Sequence, residues 1–363
     1  MKRKHNIVLL LLLVVLGTTG RAYAAQTAET RKPVDVKEII FGHIGDAYEW
    51  HITTWGHTAV TIPLPVIVYS RQSGWHVFLS SRLKEHGGSY EGLSIAPSGS
   101  RYEGKLVEHD AAGGEVRPWD ISITKVTLSL LLNSLLLLAI ILYVARWYRR
   151  HPQGSASPGG FVGFMEMFIM MIQEDVIRSS VGVNYRKFSP YLLTVFFFIF
   201  LNNLMGLIPI FPGGANVTGN IAVTLVLALF TFVAVNLFGT KHYWKDIFWP
   251  DVPWWLKVPV PIMPFIEFFG VFTKPFALMI RLFANMLSGH MSILVLTCLI
   301  FLTAGMGAAL FGTMTFVSVL FSIFLNLLEV LIAFIQAYVF TMLSAVFIGL
   351  AQETEPVKET SRN

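Results

Sequence analysis

Cysteine is almost absent from this chain: among 363 residues there is one, Cys298, inside an apolar run. A single thiol excludes an intrachain disulfide framework and a cysteine metal site. Charge is scarce too, with Asp, Glu, Lys and Arg at 13% against 54% hydrophobic residues, which excludes a fold that keeps most of its surface in water. A Walker-type phosphate loop is missing, because the glycine-rich "GGANVTG" lacks the Lys-Ser/Thr that would complete it. Nucleotide chemistry is therefore not expected here, nor is any cofactor. No internal repeat suggests inverted transporter halves, and there is no low-complexity tract.

What is present is apolar length. The formal net charge of +5 comes from basic residues in loops beside hydrophobic spans, where orientation in a membrane explains them without a nucleic-acid partner. The chain reads as an all-α polytopic membrane protein with a small β-rich extension at its amino-terminal end.

The start, "MKRKHNIVLLLLLVVLGTTGRAYAAQ", has a basic head of Lys2, Arg3 and Lys4, an apolar stretch from Ile7 to Leu16, and the small-residue site Ala22-Tyr23-Ala24. Residues 1–24 are predicted to be a secretory signal peptide, the apolar run being shorter than the ~20 residues a span needs. An uncleaved signal anchor is the other reading, and either one exports the adjoining segment. Residues 25–120 carry short alternations such as "TAVTIPLPVIVYS" and "GWHVFLSS" between turn residues, the pattern of a small periplasmic β-rich extension. His43, His51, His57, His76, His86 and His109 are scattered through it without the spacing of a metal site, so no metal is expected.

Residues 121–350 form the predicted membrane domain, with five crossings at about 126–145, 190–210, 220–240, 265–302 and 309–350. The last two exceed a perpendicular span, so tilt is expected. A segment at about 160–182, interrupted by Glu166, Gln173, Glu174, Asp175 and Arg178, is better suited to lie in the interface than to cross. Arg146, Arg149, Arg150, Arg186, Lys187, Lys241 and Lys245 fall in short connections on one side, predicted cytoplasmic together with the tail 351–363, with the mature amino terminus periplasmic in a bacterial inner membrane.

The polar residues within these spans carry the chemistry. Arg281 sits in "LMIRLFANMLSGH", and an arginine at the bilayer centre costs about 2.5–3.5 kcal/mol on insertion scales, so it calls for an anionic partner or a watery cavity. If the crossing begins near Pro275, Arg281 is only ~9 Å inside and could instead snorkel to the interface. Glu267, Lys274, Arg281 and Asn285 are spaced seven, seven and four apart, along one helical stripe. His290 lies nine residues beyond Arg281, roughly 180° around the helix.

On the final helix Ser322, Asn326, Glu329 and Gln336 are spaced four, three and seven apart, and Glu329 is far from both ends. Folding these two helices antiparallel about Gly305–Gly307 brings His290 level with residue ~324, within ~7 Å of Glu329 along the axis. The two could share a hydrated pocket, and a membrane-embedded carboxylate with an imidazole is the usual equipment of a proton relay. Arg281 cannot relay, because its guanidinium keeps its charge; counter-ion or electrostatic barrier is its plausible role.

"TKPFALMIRLFANMLSGH" and "LIAFIQAYVF", with "NNLMGLIP" and "PGGANVTGNIAVTL" in the same order, resemble subunit a of the F-type rotary ATP synthase over about residues 120–350. The resemblance implies a proton-translocating stator subunit beside a rotating c-ring, assembled with peripheral-stalk subunit b and the remaining synthase subunits. By position it implies that Arg281 faces the ring carboxylate, and that Asn285, Gln336, Glu267 and Asn203 match the family's polar positions. His290 and Glu329 stand exchanged relative to the usual acidic residue and histidine, and Gly206 stands where an acidic residue often occurs. Protons are expected to enter past His290, Glu329 and Asn203 and to leave near Glu267, with Arg281 between the two half-channels. A proton-coupled secondary transporter or ion channel using Arg281 as an anion site remains the alternative, and a membrane anchor for an exported domain is a third reading.

Overall fold

The computed structural model describes residues 44–55, 58–97, 99–109, 114–151, 157–208, 213–249, 262–304 and 306–353, with residues 36, 42 and 211 singly. The predicted signal peptide, His43, His57 and most of the carboxyl-terminal tail lie outside the described residues. The fold is mostly helical with a β-rich amino-terminal region, as the composition and alternation led us to expect.

Among the described residues that region holds three small antiparallel sheets. Strands β1 (Glu49–Trp55) and β2 (Thr58–Pro63) pair as a hairpin. Strands β3 (Pro65–Ser70) and β4 (Gly74–Leu79) form a second hairpin, closed at Gly74, whose φ of +83° suits a residue without a Cβ. After the short helix α1 (Ser81–Glu85) come β5 (Ser89–Tyr90), β6 (Leu93–Ile95), β7 (Leu106–His109) and β8 (Glu115–Val116), paired in that order, and β9 (Trp119–Asp120) adds to the free edge of β3. Alternation puts Val66 and Val68 inward with Tyr48, Leu83, Leu93 and Leu106. At the β3–β4 turn, Ser70 Oγ donates to Glu108 Oε2 at 2.5 Å, and His76 bridges Glu91 at 2.5 Å and Ser73 at 2.7 Å. These bonds tie the hairpin to the neighbouring sheet.

The β-rich region is joined by hydrogen bonds to the first long helix, α2 (Lys125–Arg150). Helix amino termini leave backbone N–H groups unpaired; here Lys125 N–H donates to the Ala47 carbonyl at 2.8 Å and Val126 N–H to Asp46 Oδ1 at 3.1 Å. Thr124 caps the same turn, accepting from Thr127 N–H at 3.4 Å. Trp50 packs edge-on against Phe211, centroids 5.1 Å apart.

Residues 160–184 continue as helix α3 (Gly160–Met170), a π-helical stretch (Met171–Arg178), a last α turn and a 3₁₀ turn entered at Gly182, φ +72°. Ile172, Val176 and Ile177 are buried in the bundle while Glu174 pairs outside with Arg178 at 2.7 Å. Next come α4 (Tyr185–Leu207), α5 (Ile221–Leu237), the short polar α6 (Lys241–Phe248), α7 (Ile262–Thr303) and α8 (Ala308–Gln352). Among the described residues four helices are long and apolar enough to cross a membrane, or five if α5 and α6, bent by 101°, count as one span. At 42 and 45 residues, α7 and α8 run to about 63 and 68 Å, twice the ~30 Å hydrocarbon core, so they tilt or project beyond it.

Leu192, Phe196 and Ile199 of α4, Leu278, Leu282 and Met286 of α7, and Phe340 and Ile348 of α8 fill the bundle core. Hydrogen bonds between helices hold it in register where lipid offers no hydrophobic drive: Asn133 to Asn202 at 3.0 Å, Tyr191 to Thr231 at 3.1 Å, and Thr231 to Ser344 at 3.3 Å. A Cβ on Gly349 would lie 2.0 Å from the Ser180 carbonyl, so only glycine lets α8 pass so close to that turn.

Candidate functional site

Helices α7 and α8 pack along each other antiparallel, and their facing sides carry the polar residues singled out in the sequence. His290 Nδ1 lies 2.9 Å from Glu329 Oε1. The pairing is about five residues closer than helix-length arithmetic from Gly305–Gly307 gave. Gly289 is what permits it: a Cβ there would lie 2.6 Å from Glu329 Oε1 and 2.9 Å from its Cδ. The carboxylate fills the notch left by the missing side chain.

The imidazole is surrounded by acceptors. Nδ1 faces the Met286 carbonyl at 3.1 Å and Nε2 faces the Gly206 carbonyl at 3.2 Å. Glu329 therefore meets the ring nitrogen off the axis of its N–H, and neither carboxylate oxygen receives a hydrogen bond among the described residues, although Glu329 is only 3% exposed.

Asn203, fully buried, donates to the Ala333 carbonyl at 3.3 Å and accepts from Thr218 Oγ1 at 2.6 Å. One turn of α8 beyond Ala333, Gln336 Oε1 accepts from Asn285 Nδ2 at 2.9 Å. These bonds gather Asn203, Asn285, Gln336, His290 and Glu329 along the α4–α7–α8 contact. Glu267 stands apart from this cluster, near Tyr243 of α6. Lys274, on the same stripe, lies over the Phe347 ring at 5.7 Å.

Arg281 does not join the buried cluster. It is exposed on the outer side of α7, and no carboxylate among the described residues pairs with it. Ala284, Asn285, Ser288 and Ser292 continue that face, and a groove of about 530 Å³ between α7 and α8, lined by Ala284, Ser288, Ser292, Phe321 and Leu325, runs beside it.

Sequence spacing had not singled out Thr218, Gly289 or the Gly206 carbonyl. Thr218 was visible only as part of the turn "GGANVTGN", and nothing in a single sequence distinguishes a glycine that seats a carboxylate from one that relaxes a helix.

A bundle of long apolar helices that buries a carboxylate against an imidazole, and leaves a guanidinium facing outward on the same helix pair, has the make-up of an ion-translocating membrane protein. The ATP synthase A chain family matches residues 131–349, and a domain of unknown function, DUF8433, matches residues 39–121. The chain is 46% identical over 242 residues to ATP synthase subunit a 2 of Prosthecochloris aestuarii, which covers 65% of this chain and 71% of that protein. It is 44% identical over 244 residues to ATP synthase subunit a of Chlorobium phaeobacteroides, 65% of this chain and 67% of that protein. Against ATP synthase subunit a of Myxococcus xanthus it is 37% identical over 288 residues, 76% of this chain and 83% of that protein.

The chain belongs to the ATP synthase subunit a family. It is a multi-pass, non-catalytic membrane subunit with the proton-translocating stator role, and it assembles with other ATP synthase subunits. The transporter and channel alternative is not favoured by this kinship.

Proposed function

We propose that protons cross this subunit by two half-channels that meet only through a carboxylate on a rotating c-ring. The outer half-channel runs past Asn203, Glu329 and His290, and the inner one opens near Glu267 and Tyr243. Arg281 stands between them. Its fixed positive charge favours the ionised form of a ring carboxylate brought opposite, so the carboxylate releases its proton there. Moving on into lipid, the same carboxylate is stable only when protonated. Arg281 also repels a proton that would pass straight between the half-channels, so flow is obliged to turn the ring, and the membrane supplies about 2.3 kcal/mol per charge per 100 mV.

The observation that carries this reading is the outward Arg281, with which no carboxylate among the described residues pairs, on the helix whose other side holds the His290–Glu329 contact of 2.9 Å. A guanidinium with no carboxylate partner among the described residues calls for one elsewhere. The small residues Ala284, Ser288 and Ser292 on the same face suit the close approach of another helix. Peripheral-stalk subunit b is the second specific neighbour expected. The basic connections at Arg146, Arg149, Arg150, Lys241 and Lys245 support a cytoplasmic carboxyl terminus and a periplasmic β-rich extension in a bacterial inner membrane.

The test is Arg281→Lys in the purified complex reconstituted into vesicles. Assembly is expected to be intact and ion-driven ATP synthesis lost. Synthesis at the unaltered rate would overturn the assignment.

A further inference from the structure

The outer face of the β4–β3–β9 sheet is apolar throughout. An antiparallel sheet with one face on a core ordinarily turns polar residues outward, and here the inward residues are Val66, Val68, Ser70 and His76. On the outward side, strand register sets Trp75, Tyr69 and Trp119 in one row across the three strands. The Tyr69 and Trp75 rings lie 5.1 Å apart, and the two tryptophans are 62% and 67% exposed. The next row is Val77, Ile67 and Ile121, with Ile121 N–H donating to the Ile67 carbonyl at 3.0 Å. The third is Leu79, Pro65 and Ile123, with Ile123 N–H donating to the Pro65 carbonyl at 3.1 Å. No charged residue falls in this grid.

We propose that this face docks on the bilayer, at the leaflet where α2 begins. The first argument is continuity. Ile123 is two residues before Lys125, where α2 starts, so the aliphatic end of the grid is within about 7 Å of chain from a helix whose exposed residues include Leu131, Leu135 and Leu138. At 26 residues, α2 is about 39 Å long against a ~30 Å core, which puts its first turn in the headgroup layer. The bonds of Lys125 and Val126 to Ala47 and Asp46 fix the segment just before β1 to that turn, and Tyr48 in the same segment donates to Asp120 of β9.

The second argument is the gradient along the strands. Aliphatic side chains lie nearest the membrane helix and the aromatic row farthest from it. Exposed Arg71 and Arg117 follow Ser70 and precede Trp119 at the aromatic end. A sheet leaning onto the leaflet sets these groups at the depths they prefer: aliphatics toward the acyl boundary, Trp and Tyr among the headgroups, arginines beside the phosphates. A protein partner would be expected to meet some hydrogen-bonding or charged residue within the patch, and the grid offers only the phenol and indole edges. The β-rich domain then serves as a membrane-resting foot that steadies the outer end of α2.

The test uses the complete synthase in vesicles of phosphatidylethanolamine and phosphatidylglycerol. An environment-sensitive fluorophore is attached at Val77→Cys, and in a second sample at Arg101→Cys, both in a Cys298→Ser background. Brominated lipids are expected to quench the Val77 label several-fold more than the Arg101 label, and aqueous iodide to do the reverse. A Val77 label open to iodide would mean a bare face, and one shielded from both quenchers would mean that protein covers it. Either result overturns the proposal, whether or not proton transport is intact.

Discussion

The carboxylate of Glu329 occupies the space that a methyl group on Gly289 would need, 2.6 Å from its Oε1. The gap exists because residue 289 has no side chain, and it holds the acid beside His290 on the same turn.

Gly289→Ala is expected to separate folding from function. Alanine favours a helix over glycine by about 1 kcal/mol, and the atoms it would strike are the movable end of Glu329, so the complex assembles. The carboxylate is pushed off His290, and a displacement of about 1 Å costs up to about 100-fold in a positioned reaction. ATP-driven proton pumping in vesicles should fall about 10-fold to 100-fold; pumping at the wild-type rate would show that this contact does not matter.

Thr218→Val tests the bond that orients Asn203. Both residues are buried, and the substitution leaves Asn203 Oδ1 without its 2.6 Å donor. An unsatisfied buried acceptor costs about 1–3 kcal/mol. The detergent-solubilised complex should melt at a lower temperature, and Thr218→Ser should restore most of the loss.

Asn285 and Gln336 are joined by a 2.9 Å bond between α7 and α8. A double-mutant cycle of Asn285→Ala and Gln336→Ala, read as thermal stability of the complex, should give a coupling of about 0.5–1.5 kcal/mol. Additive losses would mean that the bond contributes nothing.

The β-rich region carries its own alkaline limit. Tyr48 is 3% exposed and donates to Asp120 Oδ2; burial first, and then that carboxylate, hold its phenol above the ordinary value. The unfolded chain therefore loses this proton near pH 10 while the folded chain keeps it. Unfolding releases a proton above that pH, so stability falls by about 1.36 kcal/mol per pH unit from this group, whereas below about pH 10 its contribution is constant. In the intact complex, protease cutting within residues 44–120 should accelerate with pH above about 10, and Tyr48→Phe should flatten that slope. An unchanged slope would exclude Tyr48 as its source.

Some of this was legible before any coordinates. Apolar runs and scarce charge were enough for the helical membrane class, and the alternation in "GWHVFLSS" for strands, because both signals are local. The order of the motifs around Arg281 and Gln336 pointed to the family for the same reason. The contact of His290 with Glu329 was approachable only to about five residues, since the crossing of two long tilted helices depends on packing along their whole length. Gly289 illustrates the remainder: its effect comes from a residue forty positions away on another helix. The apolar grid of the sheet was equally hidden, because β9 comes some fifty residues after β3 and only strand pairing sets Trp119 beside Tyr69.

The outward Arg281 bears on how such a complex is made. If Arg281 works against a ring carboxylate as proposed, a chain released alone into the bilayer carries a guanidinium still without that partner, and an arginine near the bilayer centre costs about 2.5–3.5 kcal/mol on insertion scales. Assembly would then relieve that cost, so an orphaned copy would sit less stably in the membrane than one within the complex.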